Sequence, residues 1–192
     1  MEKQIWFTSD WHFGHNKEFL YEPRGFASVY EHAQTIIENH NKVVKPEDDV
    51  WVLGDLMLGD NEFGLDCIKQ LNGNLYIVLG NHDTDCRIKL YKQLPNVKYV
   101  GYAYMLKYKK YSFFLCHYPT CQGNYGMQMS RQWCLHGHTH SKNIFSDIDK
   151  NFNVNIDAHY NYPVNIDEIL RIIQSKWNEI YQSQLKSHSL DK

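Results

Sequence analysis

The sequence has 192 residues, of which 43% are hydrophobic and 22% charged, values typical of a globular protein rather than a disordered, collagen-like or coiled-coil chain. Its 20 basic and 22 acidic residues leave a formal net charge of −2, which provides no general attraction to nucleic acid or to an anionic membrane. At ~150 residues per domain, this length predicts a single domain over residues 1–192, with a polar tail from about residue 184.

Short apolar runs predict six strands, several of them apolar on both faces, as in a sheet that is buried on each side. In chain order these runs are residues 5–8, 50–53, 75–79, 111–115, 133–135 and 152–156. Residues 97–115 show no helical spacing, and Lys109-Lys110 predicts the tip of a hairpin.

Helical patterns lie between the early strands and after the last one. Ser28 and Glu31 form a capping box that predicts a helix to about Val43, and a second helix is expected over residues 63–71. A third is expected after the capping residue Asn165. Its apolar stripe is Ile169, Ile173, Trp177 and Ile180. This order of strands and helices predicts an α/β sandwich.

The sequence contains eleven histidines, and several of them follow strands. Five apolar runs each end in a cluster of side chains able to bind a metal. The clusters are Asp10-Trp11-His12, Gly54-Asp55, Gly80-Asn81-His82-Asp83, His117, and His136-Gly137-His138-Thr139-His140. Because ligands in open α/β sheets bind beyond the carboxyl ends of the strands, these clusters are expected to meet at one edge.

The side chains in these clusters are carboxylates, imidazoles and an amide. This set suits manganese, iron, zinc or nickel, and it disfavours a thiolate-rich structural zinc site or a calcium cage. The clusters offer more ligands than one ion needs, so two ions bridged by the carboxylate of Asp55 are predicted.

With these motifs the sequence resembles the calcineurin-like metallophosphoesterases. The opening segment Phe7-Thr8-Ser9-Asp10-Trp11-His12-Phe13-Gly14-His15-Asn16 is similar to a small bacterial and phage branch of that family. The resemblance implies an α/β sandwich of two mixed β-sheets flanked by helices. It also implies that the first of two divalent ions, with manganese as the first expectation, is held by Asp10, His12 and His140. Asn81, His117 and His138 would hold the second ion, and Asp55 would bridge the two.

The resemblance also implies a mechanism, in which a metal-bridging hydroxide attacks phosphorus in line and Asn81 stabilises charge on the phosphoryl oxygens. His82 matches the position that protonates the leaving oxygen, a task that suits an imidazole. Asp60 and Asp83 are the candidates for orienting His82.

Further residues are candidates for contact with the substrate. Arg24 is able to make a bidentate phosphate contact, or else a surface ion pair, and His15 is a second rim candidate. Trp11 and Phe13 offer a stacking surface near the metals, or else loop packing.

The expected substrate is a phosphodiester, a small nucleotide-like molecule. A phosphomonoesterase, a nuclease that processes nucleic-acid ends, and a non-catalytic scaffold on the same fold are the alternatives. The resemblance also implies a contrast, because phosphoprotein phosphatases of the superfamily carry an acid and an arginine shortly after the bridging aspartate. Here no arginine follows Asp55 in Leu56-Met57-Leu58-Gly59-Asp60, which argues against a phosphoprotein substrate.

A cytoplasmic protein without a membrane partner is also predicted. No apolar run approaches the ~20 residues of a membrane span, and no signal peptide precedes the first strand. The five cysteines are odd in number and include no CxxC motif, which favours reduced thiols.

Overall fold

The computed structural model describes residues 2–120, 131–146, 150–176 and 178. The predicted polar tail and the last two members of the helix stripe, Trp177 and Ile180, lie outside the described residues. The strands are β1 (Ile5–Thr8), β2 (Asp49–Val52), β3 (Asn74–Val78), β4 (Val97–Gly101), β5 (Ala103–Tyr108), β6 (Tyr111–Cys116), β7 (Gln132–His136), β8 (Asn151–Asn153) and β9 (Val164–Asn165).

These strands form two sheets, and each sheet is mixed. The first has the order β4-β3-β2-β1-β9, in which β1 to β4 are parallel and β9 is antiparallel to β1. The second has the order β5-β6-β7-β8, in which β5 and β6 form an antiparallel hairpin and β6 to β8 are parallel. The expected sandwich of two mixed sheets is confirmed, and Lys109 lies at the hairpin tip with a φ of 51°.

The helices are α1 (Glu18–Tyr21), α2 (Val29–Val43), α3 (Asn61–Lys69), α4 (Asp85–Tyr91) and α5 (166–176), with a short 3-10 helix at Ile156–Ala158. Ser28 caps α2 as predicted, accepting a hydrogen bond from the backbone N–H of Glu31 at 3.1 Å. The Glu31 carboxylate, however, accepts from the N–H of Ala27 rather than from that of Ser28. No helix within the described ranges is long and apolar enough to cross a membrane.

The first sheet is buried on both faces because alternate residues of its strands enter different cores. Val50 and Val52 pack among α2 and α3, whereas Trp51 and Leu53 face the second sheet. The Trp51 and Tyr104 rings, one from each sheet, have centroids 4.6 Å apart. Burial on both faces leaves the strand ends as the place where polar groups can gather.

The predicted strand at 152–156 is shorter than expected. β8 ends at Asn153, and the Asn155 side chain accepts a hydrogen bond from the N–H of Asp157 at 2.8 Å. This cap competes with continued strand pairing, because asparagine bonds its own backbone two residues on. The chain therefore turns, and Asp157 is brought close to the loop after β7.

Candidate metal centre

The five predicted clusters meet at the carboxyl ends of β1, β2, β3, β6 and β7. Backbone hydrogen bonds fix the loops to one another: the N–H of Asp10 donates to Gly54 at 2.9 Å, and the N–H of His12 donates to Asp55 at 3.1 Å. The N–H of Gly137 donates to the carbonyl of His117 at 2.9 Å. The two sheets therefore contribute ligand-bearing loops to one edge.

Backbone strain is concentrated in these loops. Five of the seven predicted metal ligands have φ values in the left-handed region: Asp10 (60°), His12 (50°), Asp55 (56°), His138 (68°) and His140 (48°). Each such residue costs roughly 1–3 kcal/mol, and such residues cluster at functional sites. The surrounding hydrogen bonds hold the backbone in conformations that direct the side chains inward.

Glycines precede several ligands because the side chains approach the backbone closely. A Cβ on Gly80 would lie 2.3 Å from Oδ1 of Asp55. A Cβ on Gly137 would lie 2.3 Å from Oδ2 of Asp10. Glycine at these positions leaves the space that the two carboxylates occupy.

Asp10, His12 and His140 form what we term the first half-site. The Nε2 atoms of His12 and His140 are 3.2 Å apart. Oδ1 of Asp10 lies 3.7 Å from Nε2 of His140 and 4.0 Å from Nε2 of His12. All three ligand atoms thus lie within 4.8 Å of one another, close enough to hold one ion.

Asn81, His117 and His138 are the predicted ligands of what we term the second half-site. Of these, His117 groups with Asp10 and Asp55, whose ligand atoms and its own lie within 4.8 Å of one another, and Asn81 and His138 lie beside His117. Nε2 of His117 lies 3.0 Å from Oδ1 of Asn81 and 3.5 Å from Oδ2 of Asp55. The rings of His117 and His138 have centroids 5.0 Å apart. Oδ2 of Asp55 is also 3.7 Å from Nε2 of His12, so this carboxylate lies between the two half-sites.

The ligand atoms suit divalent cations, because lone pairs on histidine nitrogens face lone pairs on carboxylate and amide oxygens, and a cation between them can bind both. The carbonyl of Leu53 is 2.7 Å from Nδ1 of His117, so in a neutral ring Nδ1 carries the proton and the Nε2 lone pair faces the oxygens of Asn81 and Asp55. Burial raises the pKa of the Asp10 carboxyl to about 6 and lowers the pKa of His12 far below its ordinary value. Cations between these groups relieve both costs, and imidazole, carboxylate and amide ligands suit manganese, iron, zinc or nickel.

His82 lies at the open side of the cluster. Its side chain is half-exposed, its Nε2 is 4.0 Å from Oδ2 of Asp55, and its backbone N–H donates to Oδ1 of Asp55 at 2.8 Å. The expectation that Asp60 orients the ring is wrong, because Asp60 accepts from the N–H groups of Glu62 and Phe63 as the cap of α3.

Asp83, the second candidate for orienting His82, instead fixes the loops after β2 and β3. Its buried carboxylate accepts from the N–H of Asp55 at 2.9 Å and from the N–H of Gly80 at 2.8 Å. The hydroxyl of Tyr91 donates to it at 2.7 Å. Sequence reasoning missed this role, since helix α4, which carries Tyr91, was not predicted.

A cleft of about 300 Å³ opens beside the first half-site, lined by His12, His15, Phe19, Leu20, Pro23, Arg24, His82, His140 and Asp157. Phe19 is 73% exposed, and its ring meets that of His15 edge to face with centroids 5.6 Å apart. The stacking surface expected from Trp11 and Phe13 does not exist, because these side chains are only 1% and 0% exposed and pack in the core. Phe19 is the aromatic residue at the rim.

Arg24 lies at this cleft, but its guanidinium is turned away from the opening. Its side chain is only 3% exposed and pairs with Asp157, from which Nε is 2.8 Å distant. Nη1 is 2.8 Å from Nε2 of His32, a buried histidine to which the sequence assigned no role. Asp157 is 133 positions from Arg24 in the sequence, and His32 lies 8 positions away in helix α2. No local sequence pattern therefore indicates this network.

Comparisons with known proteins agree with this geometry. The model of the family described as calcineurin-like phosphoesterase matches residues 3–189. An uncharacterized protein of Methanocaldococcus jannaschii is 30% identical over 179 residues, which is 90% of this chain and 92% of that protein. The gene 66 protein of Mycobacterium phage D29 is 30% identical over 195 residues, covering 88% of this chain and 95% of its own length.

Among solved structures, a protein of unknown function from Aquifex aeolicus superimposes with a TM-score of 0.66. It is 23% identical, and the match covers 89% of this chain and all of that one. At this identity the similarity shows the fold alone.

Proposed function

Because the chain belongs to the calcineurin-like phosphoesterase family, we propose that it hydrolyses a small phosphodiester, nucleotide-like in kind, with two divalent ions held at the two half-sites. The observation that carries the proposal is the convergence of histidine ring nitrogens and carboxylate oxygens on the same space. When bound, the ions supply Lewis acidity and lower the pKa of water enough to provide a nucleophile near neutral pH. Manganese is our first expectation for both ions.

The residues of the chain have separate tasks in this proposal. Asp10, His12 and His140 hold one ion, and Asp55 is shared between both. The second ion is held by the remaining ligands, Asn81, His117 and His138. With Oδ1 of Asn81 directed at His117, its Nδ2 group is available to donate to a phosphoryl oxygen.

His82 is proposed as the proton donor to the leaving oxygen. It is a half-exposed histidine at the mouth of the cluster, with Nε2 only 4.0 Å from Oδ2 of Asp55. A proton held at Nε2 is therefore presented from the open side, where a leaving group would depart.

A diester fits the charge of the cleft better than a monoester. A diester carries one negative charge and a monoester close to two at neutral pH, so a monoester calls for additional fixed cations. The cleft includes Arg24 alone among lysines and arginines of the described residues, and its donors are engaged by Asp157 and its neighbours.

The exposed ring of Phe19 is an argument for a planar organic group, such as a base, on the substrate. Its exposed ring stands on the edge of His15 at the rim of the cleft, within the same set of lining residues as His12 and His82. Stacking of a base on an aromatic side chain contributes roughly 1–3 kcal/mol. His15 is thus proposed to support Phe19 as well as to line the rim.

The test is a substrate panel with Mn²⁺, Fe²⁺, Zn²⁺ or Ni²⁺ added to the purified protein. We expect kcat/KM for bis-p-nitrophenyl phosphate to exceed that for p-nitrophenyl phosphate at least about tenfold, in line with the charge argument. The panel includes 2′,3′- and 3′,5′-cyclic nucleotides and short nucleic acids. A preference for the monoester contradicts the proposed substrate class. If the metal-bound protein hydrolyses none of these esters, the alternative of a non-catalytic scaffold on the same fold is favoured instead.

A matched variant separates chemistry from metal binding. His82→Ala is expected to keep both ions and to lose roughly 10²- to 10⁴-fold in kcat, the usual contribution of a general acid. Metal content by mass spectrometry and turnover of the diester give the two readouts. Loss of the ions in His82→Ala would show that His82 is a ligand and not the proton donor.

A further inference from the structure

Arg24 and Asp157 form a buried ion pair directly behind the first half-site. Nε and Nη2 of Arg24 lie 2.8 and 2.9 Å from the two carboxylate oxygens of Asp157, a bidentate arrangement. The two side chains are only 3% and 10% exposed. A pair this buried, joining residues 133 positions apart, fixes two distant segments against each other.

The remaining donors of the guanidinium are also engaged. Nη2 donates to the carbonyl of Asp10 at 3.0 Å, and Nη1 reaches the carbonyl of Trp11 at 3.5 Å. Nη1 also lies 2.8 Å from Nε2 of His32, whose pKa is lowered to about 3 by burial and by the charge of Arg24, so the neutral ring accepts this bond. A guanidinium has five N–H donors, and these contacts use all of them.

This count decides which way the hydrogen bond at His140 runs. Nδ1 of His140 lies 2.9 Å from Oδ2 of Asp157 and 3.2 Å from Nη2 of Arg24. Because both protons of Nη2 already serve Asp157 and Asp10, the proton in this contact belongs to His140, and Nδ1 donates to Asp157. The Nε2 atom is then left with its lone pair, directed toward His12 at 3.2 Å.

We propose that Arg24 and Asp157 are positioning residues, which hold His140 in its Nδ1–H tautomer and thereby set the affinity of the first half-site, but not of the second, for its ion. The inference rests on the proposed function for the identity of the ligand as a divalent metal. It replaces the earlier expectation that Arg24 clamps a phosphate, since the guanidinium has no donor left for one. Carboxylates that orient metal-binding histidines act in this way in general, and their loss weakens binding by about 10- to 100-fold.

The structure gives a contrast that makes the effect selective. His117 of the second half-site donates from Nδ1 to the main-chain carbonyl of Leu53 at 2.7 Å, so no side chain is needed to orient it. Substitution of Asp157 therefore removes the orienting partner of one histidine only. A general loosening of the fold would instead weaken both half-sites.

The first test is Mn²⁺ titration of the wild-type protein and of Asp157→Asn by calorimetry, with stoichiometry by mass spectrometry. We expect two ions in the wild type, and in the variant one ion weakened about 10- to 100-fold with the other changed less than about threefold. Asp167→Asn is the matched control, because it breaks the exposed pair with Lys109 at 2.6 Å, remote from the cluster. Equal weakening of both ions, or of neither, would overturn the inference.

The second test reads the tautomer directly, and it needs no metal. Long-range ¹H–¹⁵N spectra of the metal-free wild-type protein, labelled at histidine and recorded near pH 8, should show His140 protonated at Nδ1. His140→Gln identifies the signal. In Asp157→Asn the population should move toward the Nε2–H form, and Arg24→Lys should give an intermediate shift because one ammonium cannot replace the planar fork.

These readouts separate the two proposals. A wild-type protein that binds two Mn²⁺ ions but shows His140 protonated at Nε2 overturns the positioning role and leaves the proposed function standing. A wild-type protein that binds none of Mn²⁺, Fe²⁺, Zn²⁺ and Ni²⁺ overturns the proposed function, and the tautomer of His140 then still decides whether Asp157 orients it.

Discussion

The two halves of the candidate metal centre are held in place by different kinds of contact. Behind the first half-site, the charged side chains of Arg24 and Asp157 pair in the interior, and His140 depends on them. Behind the second half-site, His117 is oriented by a backbone group, the carbonyl of Leu53. The geometry of the first half-site therefore depends on a few side chains, whereas that of the second depends more on the packing of neighbouring strands and their loops.

Asp83 reinforces the second half-site. Its carboxylate gathers the N–H groups of Asp55 and Gly80, at the ends of two neighbouring strands, and receives the hydroxyl of Tyr91 from helix α4. These three hydrogen bonds hold the Asp83 carboxylate, so the loss of one leaves the other two in place. We expect the second half-site to tolerate single substitutions behind it better than the first.

The largest effect is expected where the comparison breaks down, at the carboxylate that both halves share. Asp55→Asn removes the negative charge whose Oδ2 lies 3.7 Å from His12 and 3.5 Å from His117. Both ions should be weakened together, and kcat/KM for the diester should fall by at least about 10³-fold, the loss of several kcal/mol of transition-state stabilisation. Metal content and turnover check this against Asp167→Asn, and retention of both ions would show that Asp55 is not shared.

The sequence indicated candidate ligands for both half-sites, but not the side chains that lie behind them, for a physical reason. A glycine followed by a polar residue at the end of an apolar strand is a local pattern, and the close approach of Gly80 to Asp55 explains why glycine is required there. The ion pair of Arg24 with Asp157 has no local pattern, because neither flanking sequence indicates a partner far away in the chain. It depends on the short 3-10 helix at Ile156–Ala158, which begins at the last residue of the predicted strand 152–156.

The aromatic residues illustrate the same limit. Trp11 and Phe13 are sequence neighbours of the predicted ligands Asp10 and His12. The left-handed backbone of Asp10 and His12 directs both aromatic side chains into the core. Phe19 belongs to a four-residue helix too short to show periodicity, and it is this side chain that reaches the cleft. A position beside a metal-ligand motif in the sequence therefore did not identify the aromatic residue that lines the cleft.

A second prediction, on stability, sharpens the comparison through the buried carboxylate of the first half-site. Burial raises the pKa of Asp10 to about 6 from 3.8, so in the metal-free protein its contribution to stability is present below pH 4 and is lost as the pH rises through about 6. Such a shift corresponds to about 3 kcal/mol. Asp10→Asn lacks this loss and keeps an oxygen that can accept from the N–H of His138.

Denaturant unfolding of the metal-free proteins at pH 4 and pH 7 measures this effect. The free energy of unfolding of Asp10→Asn, relative to the wild type, should increase by about 3 kcal/mol between these two pH values. Asp167→Asn, which alters an exposed carboxylate, should show no such drift. A difference that stays constant with pH would mean that the first half-site does not bury an ionisable carboxyl at a cost.

The smallest effect is expected behind the second half-site. Tyr91→Phe removes a single hydrogen bond of 2.7 Å to Asp83, while the N–H groups of Asp55 and Gly80 continue to hold that carboxylate. The free energy of unfolding should fall by about 1.5–3 kcal/mol, the range for a hydrogen bond to a charged acceptor, and Mn²⁺ affinity should change less than about threefold. Tyr99→Phe is the control, since its hydroxyl donates at 2.8 Å to the carbonyl of Ala103 instead of to a carboxylate near the ligands. If Tyr91→Phe weakened an ion tenfold or more, the second half-site would depend on single side chains as strongly as the first, and the distinction between charged side chains behind one half and backbone contacts behind the other would no longer hold.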